Sequence, residues 1–179
     1  MRTLFTITLL FYALTISGQE SAESSFRKYP VESTGCNVYL PVAPDAWTLE
    51  QSEDGSDVFT TSQTLENLDF DVIAVQFGEP FEGLSHDELE SILISYLDFL
   101  KKAFEITESA GYGKGQQLPG NENAIGVLDY WKVAEGSQCK VKGWVTDTHL
   151  AVMMVTGVGN PSDESITDLF LNGFRFPEK

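Results

Sequence analysis

The sequence predicts an α+β fold built on a mostly antiparallel sheet, and three observations carry that reading. Two runs, "DFDVIAVQF" (69–77) and "HLAVMMVTG" (149–157), are apolar on both alternating faces, as strands covered on both sides must be. One segment, 85–105, repeats apolar residues at three- and four-residue steps, the period of an amphipathic helix. The runs "NAIGVLDYWKVAE", "CKVKGWVTDT" and "HLAVMMVTG" follow one another at hairpin spacing, with Gly136-Ser137 and Asp147-Thr148 as turns. Strands, helix, strands, helix is the order of an α+β chain, not of alternating parallel βα units.

From the amino end, "MRTLFTITLLFYALTISG" carries Arg2, an apolar run from Leu4 to Ile16, and then small Ser17 and Gly18. That is the order of a secretory signal peptide, and the run is too short to span a bilayer. Residues 1–18 are therefore expected to be a signal, 19–34 a flexible leader, and 35–179 a single domain. Export to the periplasm or to the outside follows, with no membrane span once the signal is removed.

The folded part is expected to begin near Cys36. "CNVYLP" and "AWTLEQ" read as short strands around the turn "VAPD", and "SEDGSD" as a hairpin turn into "VFTTS". In "DFDVIAVQF", Phe70, Val72 and Ala74 point one way and Ile73, Val75 and Phe77 the other. The helix opens on Ser85 and Glu88, a capping box, and its stripe is Leu89, Ile92, Leu93, Tyr96, Leu97, Leu100 and Phe104. Acids near its start and Lys101 and Lys102 near its end suit the helix dipole. A second helix is expected after Asn160-Pro161, with Ile166, Leu169 and Phe170 as its apolar stripe and Gly173 as its stop. "FRF" (174–176) closes the chain as an extended segment.

The chain has 11 Lys and Arg against 27 Asp and Glu, a formal charge of −16. A field of that sign repels nucleic acid and anionic membranes, so no nucleic-acid partner is expected. The glycine-rich "GYGKGQQLPG" (111–120) lacks the Gly-Lys-Ser/Thr of a phosphate loop and leads into a strand meander, not a helix. It reads as loop or edge-strand glycines.

Residues that could carry chemistry are few. Cys36 and Cys139 are the only cysteines, and an even count in an exported protein suggests a structural disulfide, the alternative being two buried thiols. Asp147 and His149 could orient a base, yet no nucleophile motif accompanies them, so a hydrolase is the remotest reading. Neither a metal-ligand spacing nor a cofactor motif is present, and no catalytic residue is assigned. Tyr130 and Trp131 fall on opposite faces of their strand. Aromatic rings mostly fill cores, but Trp131 and Trp144 are the candidates for a ring that reaches the sheet edge and contacts a partner.

"NVYLPVAPDAWTL" resembles the opening of PsbP-like domains, where a short strand, a Pro turn and a Trp begin the sheet. "VKGWVTDTHLAVMMVTGVGNPSDESITDLFLNGFRF" is similar to their ending: hairpin strands, a loop, a helix and a Phe-basic-Phe tail. The likeness covers about residues 36–176 and rests on core and turn residues. It implies an α/β/α sandwich around an antiparallel sheet. It also implies a largely non-catalytic background: subunits of the photosynthetic oxygen-evolving complex, a Ran-binding import factor, and bacterial exported or adaptor proteins. A cysteine pair is not expected of such relatives, and no catalytic residues carry over.

The resulting expectation is an exported, non-enzymatic binding or adaptor domain acting through protein contacts. A carrier of a small apolar or amphipathic ligand, held between sheet and helix, is the alternative.

Overall fold

A computed structural model describes residues 26–133, 136–157 and 164–177 of the chain. The signal segment 1–18, residues 19–25 of the leader and the Asn160-Pro161 cap lie outside the described residues. In chain order the strands before the first helix are β1 (Arg27–Pro30), β2 (Asn37–Leu40), β3 (Thr48–Gln51), β4 (Asp57–Leu65) and β5 (Leu68–Gln76). Helix α1 (His86–Ala103) follows, then β6 (Glu108–Ser109), β7 (Gly113–Leu118), β8 (Asn121–Lys132), β9 (Gln138–Val145) and β10 (His149–Gly157). Helix α2 (Glu164–Leu171) and β11 (Phe174–Arg175) end it.

The large sheet runs β3-β4-β5-β10-β9-β8-β6, with β7 also on β8, and every pairing is antiparallel. A small sheet, β1-β2-β11, covers part of one face. At the centre β5 and β10 pair without a slip from His149↔Gln76 to Gly157↔Leu68. Residues 149–155 are all buried, so β10 is covered on both faces as its composition requires. Phe70, Val72 and Ala74 join Ala151, Met153 and Val155 in the core on the α2 side. Ile73 and Val75 join Leu150, Val152 and Met154 in the core under α1. The architecture is the expected sandwich, with α2 sharing its layer with the small sheet.

Helix α1 begins as its sequence dictates. Ser85 Oγ accepts from the Glu88 amide at 3.4 Å, and the Glu88 carboxylate accepts from the Ser85 amide at 2.8 Å. Its buried stripe is Leu89, Leu93, Leu97 and Leu100. Leu93 sits directly on Gly143, where a Cβ would lie 2.6 Å from Leu93 Cδ1. On the other face the Trp144 ring lies against Gly126, where a Cβ would meet Cζ3, and the indole Nε1 donates to the Leu171 carbonyl at 2.9 Å. These two glycines let one helix and one indole approach the sheet backbone.

Three expectations need correction. Residues 27–34 are not a flexible leader: β1 pairs with β2 from Arg27↔Leu40 to Pro30↔Asn37, and Val31 is fully buried. Phe26 meets Phe70 edge-on at 6.4 Å, so the apolar residues among the charges of "FRKYPV" hold this segment down. The runs "CNVYLP" and "AWTLEQ" do not pair with each other, since β2 belongs to the small sheet and β3 edges the large one. In α2, Leu169 of the predicted stripe is exposed, while Ile166, Phe170 and Leu171 are buried. The glycine-rich stretch is edge strand β7, with a register shift between Gly113 and Gln116.

A methyl group at Gly126 would overlap the Trp144 ring, which its hydrogen bond to Leu171 holds in place. Gly126→Ala is expected to cost about 1–3 kcal/mol, read as a lower urea midpoint at unchanged slope.

Candidate functional site

The most distinctive site follows from a mismatch of widths. An 18-residue helix is about 27 Å long and about 10 Å across. Seven strands at about 4.8 Å spacing make a sheet about 29 Å wide. Helix α1 packs on β8 and β9, and part of the β4 and β5 face lies open beside its carboxyl end. There a groove of about 680 Å³ opens, within the size range of small-molecule sites. Ile73 and Met154 give it an apolar floor, and Phe104, Ile106, Trp131 and Val133 wall it on the helix side. Ala46 and Thr48 stand opposite, at the β3 edge, and hydroxyls of Thr60, Ser62 and Thr156 dot the surface.

Asp71 lies in this groove. Across the sheet it faces Ser62 on β4 and Met154 on β10, and the same row continues through Val141 to Asp129 on β8. Burial raises its carboxyl above the ordinary value; the Ser62 hydroxyl works against that and the neighbouring Asp69 adds to it. Among the described residues no lysine or arginine pairs with it.

The other acid of the row has the opposite fate. Asp129 is fully buried, and Lys101 of α1 reaches it at 2.8 Å. Ser109 Oγ at 2.8 Å, Trp131 Nε1 at 2.7 Å and the amides of Tyr130 at 2.8 Å and Gly111 at 3.1 Å also donate to it. Removal from water alone would push its carboxyl up; these donors outweigh that and hold it below the ordinary value. The network fixes the last turn of α1 against β8, and so places Phe104 and Ile106 at the groove.

Trp131 and Trp144 are 2 % and 0 % exposed, so the expectation that they contact a partner is corrected. They fill the cores on opposite faces, each with its indole N–H satisfied inside. The exposed ring of the strand is Tyr130, at 51 %. The expected disulfide is likewise absent: both thiols are free, Cys36 in the core on the α2 side and Cys139 in the core under α1. The sheet stands between them. Burial pushes each thiol up to about 11.

Asp147 and His149 lie at the β9–β10 turn. His149 is 6 % exposed, its Nδ1 meets Thr148 Oγ1 at 2.8 Å, and burial lowers its pKa against the pull of Asp147. A base needs access to a substrate proton, and this ring is packed beside Phe176. Sequence reading missed Asp71 and Asp129. The signal for both was an acid set among apolar strand residues, Asp71 in "FDVIAV" and Asp129 in "GVLDYW".

No protein-family model and no curated protein matches the chain. A solved structure does: the cyanobacterial PsbP (CyanoP) of Synechocystis sp. PCC 6803, in solution, at a TM-score of 0.54 and 11% identity. The match covers 85% of this chain and 92% of that one. The fold is PsbP-like.

Asp129→Asn removes the charge that Lys101 needs and is expected to cost about 3 kcal/mol in urea unfolding. A depressed carboxyl contributes its stability above the ordinary carboxylate range, about pH 4, and loses it as pH falls through its own lower value. The parent protein should therefore weaken in acid below about pH 4, and the variant should show a flatter acid limb. With thiols at about 11, roughly one in a thousand is thiolate at pH 8. Iodoacetamide should label neither cysteine in the native protein and both in urea, read by intact mass.

Proposed function

We propose that this chain is an exported, non-enzymatic binding domain that holds a small amphipathic ligand in the groove beside α1. The observation that carries the proposal is the groove of about 680 Å³, apolar on its walls and carrying one half-buried carboxylate. That mixture of apolar surface and a few polar groups is the usual makeup of a ligand site. Export to the periplasm or outside is supported by the amino-terminal pattern of residues 1–18. The PsbP-like fold supports a non-catalytic role by analogy alone.

A protein partner is the second reading, and it loses Trp131 and Trp144 as contacts. One surface favours it. All four residues of edge strand β3 are exposed, Leu49 at 57 %, and a bare edge can accept a strand from another chain.

A neutral, environment-sensitive dye such as Nile red should brighten on the purified chain and be displaced by apolar competitors. Ser62→Trp, which fills the groove from β4, should abolish the signal while the fold, followed by circular dichroism, persists. Dye binding that survives Ser62→Trp would place the ligand elsewhere.

A further inference from the structure

The groove carries a carboxylate, Asp71, that no cationic side chain among the described residues answers. Asp71 and Asp129 stand on the same face and in the same row of the sheet, on β5 and β8. The chain supplies Lys101 to Asp129 from the last turn of α1. Among the described residues no such group reaches Asp71. Among the described residues two carboxylates, Asp71 and Asp45, line the groove, and no lysine, arginine or histidine does. Asp69, two positions along β5, adds to the negative field at Asp71. A carboxylate taken partly out of water and left without a cation is a cost to the folded protein, and a bound cation removes it.

Resting on the groove reading above, we propose that the ligand is a cationic amphiphile: a soluble amine whose ammonium pairs with Asp71 and whose apolar body lies against Ile73, Met154 and Phe104. The ligand's ammonium would do at Asp71 what Lys101 does at Asp129. An ammonium also needs acceptors for its remaining N–H bonds, and the Ser62, Thr60 and Thr156 hydroxyls lie on the same surface. Phe104, 42 % exposed at the groove wall, suits a cation as well as an alkyl chain. The partner is a free molecule and not a bilayer headgroup, because Asp71 is recessed in the groove and the chain's charge of −16 opposes an anionic membrane surface.

The test compares dodecylammonium, dodecanol and dodecanoate, each below its micelle concentration, as competitors of Nile red on the purified chain. The amine is expected to bind about tenfold or more tighter than the alcohol, the scale of a hydrogen bond to a charged group, with the carboxylate weakest. Asp71→Asn should bring the amine down to the affinity of the alcohol and leave the alcohol unchanged, whereas Asp45→Asn should keep the preference. Equal binding of amine and alcohol to the parent protein would overturn the cationic ligand and leave the groove reading standing. A preference that survives Asp71→Asn would also overturn it. If none of the probes displaces the dye, the groove reading itself fails. Where Asp71→Asn folds poorly, Asp71→Ser makes the same comparison, and equal amine and alcohol binding by the parent overturns the cationic ligand without either variant.

Discussion

Everything in this molecule is arranged around a strand that cannot touch water on either side. β10 is buried from His149 to Val155, so its two neighbours must be long, in register and themselves apolar, and each face needs a cover. The chain builds the two covers differently. One face receives α2 together with the three-stranded sheet, and phenylalanines from α2, β5 and the tail pack there, with Phe70 against Phe170 at 5.1 Å and Phe174 against Phe176 at 5.0 Å. The other face receives a single helix.

That asymmetry separates the part of this face that α1 seals from the part left open beside it. Where α1 lies, the face is sealed by leucines and locked at one corner by the Lys101–Asp129 pair with its ring of donors. Where α1 ends, the sheet keeps its apolar floor without a lid. An ion pair that serves the fold thus also sets the wall of the groove. A mutation of Lys101 or Asp129 would move Phe104 and Ile106 although neither residue lines the groove.

What the sequence made legible was whatever depends on near neighbours along the chain. The capping box at Ser85 and Glu88, the leucine stripe of α1 and the two-faced pattern of β5 and β10 are all local periodicities, and each stands where it was expected. The fates of Trp131, Trp144 and the cysteines depend instead on which strands lie side by side and what covers them. Alternation puts Tyr130 and Trp131 on opposite faces, but it cannot say that the Trp131 face is the one under α1. The groove was illegible for a similar reason, since it arises from the width of a helix set against the width of a sheet. Residues 27–34 were misread because a polar, charged composition hid three apolar contacts, from Phe26, Tyr29 and Val31.

The placement of the two thiols has a consequence for biogenesis. With the sheet between Cys36 and Cys139, the native state has no use for a bond joining them, yet the unfolded chain lets the two sulfurs meet. In an oxidising compartment a premature bridge would tie the amino-terminal strands to β9 and block closure of the sheet. Were the chain to fold in such a compartment, burial of the two thiols would compete with their oxidation.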